Sequence, residues 1–305
     1  MSERLTVGGT TIDLSNTGKV FFPDDAITKG DVITYYRDVA DRMLPYLRGR
    51  PLAMARFPDG IAGERIFQKN VPDYFPGWIR RAEVKKRDGV LQHVICDKAA
   101  TLVYLANQAC IEPHVFLSHI DAVDEPDQLV FDLDPPDASR FDLARRAALK
   151  LRDLLEAELG VTSYVKMTGG KGLHVHVALN RDPGFEQARR FAREAARLLA
   201  SRDPDWMTTE QRKEKRGNRV YLDVMANAYA QTVVAPYTVR ARPGAAVATP
   251  VDWHEVEDRR LTPYRFTLGT IRDRLNGADP WARMTRRRYS PARLLQRLDR
   301  LGGEG

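Results

Sequence analysis

Val130-Phe131-Asp132-Leu133-Asp134-Pro135-Pro136 is the stretch on which the reading of this chain turns. Gln128 to Leu133 has the composition of a buried strand, and the two prolines stop it because they cannot donate to a ladder. Alternate residues of a strand face the same way, so Asp132 and Asp134 share one face while Phe131 and Leu133 pack on the other. Their Cα atoms lie about 6.6 Å apart, which lets both carboxylates converge on ions spaced roughly 3.5–4 Å. Oxygen-only ligands favour Mg²⁺ or Mn²⁺ over zinc. A strand that merely ends in an Asp-Pro turn is the plain alternative.

A third carboxylate interrupts an apolar run in Val220-Tyr221-Leu222-Asp223-Val224. An isolated ionised group there is costly unless it is metal-bound or paired, Arg216 and Arg219 being the nearby candidates. Three aspartates on adjacent strands make a two-metal site for in-line displacement. Between them lies Thr168-Gly169-Gly170-Lys171-Gly172. Its glycines let backbone N–H groups approach an anion, with a hydroxyl and an ammonium beside them. The spacing is not that of a Walker loop, and a plain tight hairpin also needs glycine. The following strand sets His174 and His176 on one face, a pair that can also bind zinc. His176 reads as a surface histidine, His174 as the better functional candidate, and His114 in Ile111-Glu112-Pro113-His114 as a further one.

Outward from this centre, strands alternate with helices. A hairpin is expected over Leu5–Leu14 and a helix, capped by Thr28, over Lys29–Leu47. Strands follow at Leu52–Phe57 and near Ile66–Gln68, a hairpin turns on Asp88-Gly89, and a helix covers Thr101–Ile111. Helices at Asp142–Leu159 and Phe185–Ser201 then flank the strands Ser163–Met167 and Leu173–Leu179. The pattern is an α+β fold whose sheet resembles an RNA-recognition-type fold more than a doubly wound one. A last helix begins at Ser290-Pro291, with leucines 294, 298 and 301 on one face and arginines 293, 297 and 300 on another.

Composition sets the outer bounds. The 305 residues are 43% hydrophobic, enough for one large or two modest cores. No signal-peptide pattern and no run of membrane-spanning length occurs, and Cys96 and Cys110 imply no disulfide framework, so a reducing cytoplasm is expected. The net charge of +7 is moderate, but it gathers at Lys85–Arg87, at Arg212–Arg216 and at Arg286–Arg288. Such clusters form either a polyanion-binding surface or ordinary solvated loops.

The ordered set Glu-Pro-His114, Asp132-Leu-Asp134-Pro-Pro, Thr168-Gly-Gly-Lys171-Gly-Leu-His174, Asp223 and Pro236-Tyr-Thr-Val-Arg240-Ala-Arg242 resembles the polymerase domain of bacterial ligase D, in the archaeo-eukaryotic primase superfamily. The resemblance covers nearly the whole chain. It implies a primase-polymerase fold: one polymerase domain over 1–305, with a smaller N-terminal α/β module (1–115), a catalytic module carrying the RNA-recognition-like sheet (116–280) and a basic C-terminal helix (281–305). Asp132, Asp134 and Asp223 match the ligands of two Mn²⁺ or Mg²⁺ ions. Thr168, Lys171, His174, Arg216, Asn227 and Arg240 match nucleotide contacts, and His114 matches the residue that senses the 2′-hydroxyl, which implies a preference for rNTPs over dNTPs. Asn16, Lys19 and Lys29 resemble a pocket for a 5′-phosphate at a gap or break, with Arg56, a base-stacking Phe67 and Lys69 as further DNA contacts.

The implied function is a template-dependent polymerase that fills short gaps in DNA break or excision repair, in the bacterial cytoplasm near the nucleoid. No stretch matches a ligase or nuclease domain, so a stand-alone relative is expected, working with a separate ligase and a Ku-like end-binding protein. De novo priming, a non-catalytic DNA-end-binding scaffold and a zinc hydrolase built on His174 and His176 are the competing readings.

Overall fold

The computed structural model describes residues 3–182 and 184–303. The expected extents 1–305 and 281–305 therefore run slightly beyond what is described. The chain divides into two units. One comprises 1–121, 232–248 and 266–277, and the other 122–231, 249–265 and 278–305. This differs from the boundaries 115 and 280 expected from the sequence. Pro236–Arg242 joins the N-terminal unit, and the C-terminal helix Pro291–Gly303 packs on Gly184–Arg202 inside the second.

The second unit is built on a six-stranded sheet in the order Met207–Thr208, Val220–Asp223, Gln128–Asp134, Leu173–Ala178, Tyr164–Met167, Pro250–Val251. Its four central strands are antiparallel. In chain order they read strand, helix Phe141–Arg152, strand, strand, helix Gly184–Arg202, strand. That is the β-α-β-β-α-β topology of the RNA-recognition type, as the sequence pattern indicates. Phe131, Leu133, Val175 and Val177 are fully buried, and they share a strand face by alternation. Both helices pack on these strands. Phe191, Ala192 and Ala195 are the fully buried part of the second helix. Each large apolar side chain so buried contributes roughly 1.5–3 kcal/mol. The expected helix Asp142–Leu159 ends as an α-helix at Arg152 and continues as a π-helical turn, Asp153–Glu158.

The first unit has its own sheet, ordered Thr232–Val234, Cys110–Phe116, Pro51–Arg56, Gly89–Ile95, Arg81–Lys86, with Ile66–Gln68 also paired to Pro51–Arg56. Thr28 closes a capping box with Asp31. The single helix expected from Lys29 to Leu47 is two, Lys29–Asp38 and Ala40–Leu47, so Pro45 falls in the second turn of a short helix. The expected helix over Thr101–Ile111 is Ala99–Asn107 instead. Ala109 then takes a left-handed conformation at φ 60°, and Cys110–Phe116 is a strand. The apolar run there has no period that separates helix from strand, and pairing with Pro51–Arg56 decides it.

Tyr36 ties this unit together: its hydroxyl donates to Ile111 O at 2.5 Å and accepts from Val239 N at 3.2 Å, fully buried. Tyr36→Phe leaves both backbone groups unpaired and is expected to lower stability by about 1–3 kcal/mol, read from urea unfolding. An unchanged midpoint would refute this role.

Candidate active site

Strand register assembles the carboxylates. Asp132 stands opposite Asp223 in one neighbouring strand and opposite His174 in the other, while Asp134 faces Tyr221. His174 Nε2 lies 3.4 Å from Asp132 Oδ2. Asp223 Oδ1 accepts from Met225 N at 2.8 Å. Burial raises the Asp223 carboxyl above its ordinary range, and the charges of Asp132 and Asp134 add to this against that hydrogen bond. A cation placed among the three would relieve this repulsion, so the all-oxygen set fits a hard divalent ion.

Among the described residues, the one set of three whose ligand atoms all fall within 4.8 Å of one another is the exposed Asp252 and His254 with the half-buried Glu255. There Glu255 closes a capping box onto Asp252 N. The three aspartates do not form a set that tight.

The glycine turn is locked by its own polar groups. Thr168 Oγ1 donates to Gly172 O at 3.0 Å and accepts from Gly170 N at 3.1 Å. Lys171 Nζ donates to Pro135 O at 2.7 Å and to Pro136 O at 3.3 Å, which pins the turn to the segment following Asp134. A Cβ on Gly172 would lie 2.3 Å from Leu133 O. Only glycine allows that approach.

His176 is buried and not a surface residue. Its Nδ1 pairs with Gln128 Oε1 at 3.0 Å, and its ring lies 4.7 Å from that of Trp281. These contacts explain the histidine without zinc. Arg216 donates to Glu210 O and Gln211 O, and its guanidinium stacks 3.7 Å over Tyr221. Arg219 donates to Arg216 O and Lys215 O. Asn227, expected as a nucleotide contact, has its amide committed to backbone: Nδ2 donates to Val130 O and Val224 O, and Oδ1 accepts from Val130 N. It extends the pairing of the aspartate strand just where Val220–Asp223 has ended.

The first unit carries two further groups of expected residues. His114 Nε2 lies 3.3 Å from Glu112 Oε2, and Glu112 Oε1 accepts from Arg240 Nε and Ala241 N, both at 2.9 Å. Burial opposes ionisation of Glu112, yet the bond from His114 and the Arg240 charge outweigh it and hold the carboxyl far below its usual range. Burial also lowers His114, which keeps its imidazole neutral at neutral pH. The half-exposed Phe67 ring meets His114 edge-on at 5.4 Å, and the Arg65 guanidinium sits 5.1 Å from its centroid. Lys69 follows in the chain.

Asn16, Lys19, Lys29 and Arg56 line one cavity of about 160 Å³, together with Asn107 and Gln108. Lys29 is buried, bonded to the Ser15 carbonyl and hydroxyl. Burial, then the Lys19 charge, lower it to about 8. Lys19 pairs with Asp59 at 2.6 Å. Arg56 Nε donates to Gln108 O at 2.8 Å. Glu112, Tyr221 and Asn107 were not singled out from the sequence. The Glu-x-His alternation, which puts Glu112 and His114 on one strand face, is a signal that could have found the first.

Residues 28–281 match the family model described as LigD, primase-polymerase domain. The chain is 35% identical to the bifunctional non-homologous end joining protein LigD of Bacillus subtilis over 265 residues, 87% of this chain and 42% of that protein. It is 30% identical to the multifunctional LigD of Pseudomonas aeruginosa, over 92% of this chain and 34% of that protein. The chain thus spans less than half the length of these curated relatives. Among solved structures it resembles the polymerase domain from Mycobacterium tuberculosis ligase D in complex with DNA, with a TM-score of 0.83 and 30% identity, covering 90% of this chain and 98% of that one. No helix among the described residues is long and apolar enough to cross a membrane.

Gly172→Ala tests the register. The collision with Leu133 O should displace the turn from the aspartate strand and lower the melting temperature, whereas a fold that absorbed the methyl without change would show that the close approach is not required.

Proposed function

The chain belongs to the LigD primase-polymerase family of nucleotidyltransferases, and on that premise we propose that it is a template-dependent polymerase that fills short gaps in broken DNA by two-metal nucleotidyl transfer, with rNTPs as preferred substrates. The observation that carries this reading is the register that sets Asp132 between Asp223 and His174, with Asp134 one alternation along. Three carboxylates on one face, an anion-sized turn beside them and a lysine at its tip suit a triphosphate and a primer terminus.

In this reading the primer 3′-hydroxyl forms a bond to the α-phosphorus as the bond to pyrophosphate breaks. Two Mg²⁺ or Mn²⁺ ions bound by Asp132, Asp134 and Asp223 would supply the positive charge that favours the attacking alkoxide and the leaving group. Lys171 fixes the turn whose backbone N–H groups meet the phosphates. His174, beside Asp132, orients that carboxylate and offers its ring to the nucleotide. Arg216, stacked on Tyr221, is held where its remaining N–H groups can meet an anion. Asn227 positions the aspartate strand. In the first unit, neutral His114 suits a hydroxyl partner, and its orientation is set through Glu112 by Arg240. Phe67 offers a face on which a base can stack, with Lys69 as its basic neighbour.

The cavity formed by Asn16, Lys19, Lys29 and Arg56 suits a 5′-phosphate monoester on the downstream side of the gap. A separate ligase would then seal the product, and a Ku-like protein would bring the ends.

Asp134→Ala should lower primer extension at least ~10²-fold, the scale on which loss of one electrostatic stabiliser of a transition state acts, and leave affinity for gapped DNA nearly unchanged. Normal extension by this variant would sink the metal assignment. Lys29 provides a pH test. Its lowered value means the free cavity loses one positive charge as pH rises through about 8. Preference for 5′-phosphorylated over 5′-hydroxyl gaps should fall across that range and be absent at every pH in Lys29→Ala. A pH-independent preference in the wild-type protein would remove Lys29 from the pocket's chemistry.

A further inference from the structure

We propose that Arg189, Arg193 and Arg197, with Gln211 and Met225, form an auxiliary site for the phosphodiester backbone of a single nucleic-acid strand, at the outer edge of the strand that carries Asp223. The inference rests on the polymerase reading and extends it to a surface that none of the roles above uses.

The three arginines recur every fourth residue on the helix Gly184–Arg202, so they form one row. Like charges at this spacing disfavour the helix, and the row is not neutralised within it. Glu194 alone serves two members, 3.6 Å from Arg193 Nε and 3.1 Å from Arg197 NH1. The first distance is beyond hydrogen-bond reach, and Arg193 Nε is buried with no hydrogen-bond partner among the described residues. Among the described residues, Arg189 NH2 meets only a weak acceptor, Met225 Sδ at 3.7 Å, to which Gln211 Nε2 also points at 3.4 Å. A merely solvated helix face would leave such a row open to water on all sides. Here it forms one wall of a cavity of about 110 Å³, with Gln211, Leu222 and Met225 on the other side.

The place of the cavity gives its ligand. Met207–Thr208 pairs only with Val220 and Tyr221, so among the described residues no strand covers the outer side of Leu222 and Asp223. The cavity is lined by Leu222 at that uncovered edge; Leu222 precedes Asp223 in the chain, and by alternation their side chains face opposite sides of the sheet. Arginine forks match phosphate oxygens and cannot lose their charge at any working pH. Met225, 39% exposed, adds soft apolar surface against which a sugar or base can lie. Repeated guanidinium groups with one apolar contact fit a run of phosphodiesters better than a single compact anion.

The test is the combined variant Arg189→Gln, Arg193→Gln, Arg197→Gln, with its melting curve as a check on folding. The probes are labelled oligo-dT and a gapped duplex with a single-stranded template segment. Each phosphate contact contributes about 0.7 to the slope of log K against log salt for single strands, so losing three should reduce that slope by about 2. Extension on long template segments should fall with it, while the KM for the nucleotide stays unchanged. A variant that folds and retains wild-type oligo-dT affinity and salt slope overturns the proposal. So does a raised nucleotide KM with unchanged strand binding, which would assign the row to the triphosphate. Failure of the wild-type protein to extend any primer would instead overturn the polymerase reading.

Discussion

Mutual repulsion among three carboxylates is the constraint that the second unit is built around. Unit charges roughly 5 Å apart repel by about 3 kcal/mol at an effective dielectric near 20. Asp132 has such a neighbour directly across the ladder, Asp223. Side-chain electrostatics therefore push the strands apart, and backbone contacts must hold them. Across that ladder Asn227 does so by clamping both backbone groups of Val130. On the opposite flank of the aspartate strand, Gly172 allows a closer approach to Leu133 O than any Cβ would permit, and Lys171 binds the carbonyls of Pro135 and Pro136. Each acts within a few residues of Asp132 or Asp134. The site is thus preorganised by main-chain geometry, which does not relax when charge changes during a reaction.

What the sequence made legible follows from periodicity. Alternation placed Asp132 and Asp134 on one face and correctly set the RNA-recognition-type order of strands and helices. It failed where a segment is apolar without a period, as in the stretch from Ala99 to Phe116, where a helix gives way to a strand through Ala109. Length could not separate the two, because the deciding partner, Pro51–Arg56, is far away in the chain. The same distance hid what Glu112 pairs with: the Glu-x-His alternation marks the residue, but its link to Arg240 spans 128 positions, and no local pattern carries that. His176 shows the opposite failure. Its spacing from His174 suggested a metal pair or a surface position, whereas the structure gives it Gln128 and Trp281 as core partners.

Asn227, Thr168 and Lys171 carry a further lesson about reading motifs as ligand contacts. All three are expected as nucleotide contacts from the resemblance, and all three have side chains bonded to backbone. A motif residue can serve a ligand by fixing the main chain that meets it. For Thr168 this explains why a hydroxyl suits the position: its oxygen bridges Gly170 N and Gly172 O.

The two sites proposed for anions carry different cations, a lysine in the first unit and arginines in the second. The first unit uses a buried lysine, whose charge weakens near pH 8 when no anion is present. A phosphate monoester carries nearly two charges, and such an anion restores the proton and the attraction together. The second unit sets a row of arginines at an open sheet edge. A phosphodiester carries a single charge that is the same at every accessible pH, and a guanidinium meets it without any exchange of protons. In the proposed sites, a titratable lysine thus ties monoester binding to pH, whereas a row of permanent cations makes backbone binding independent of it.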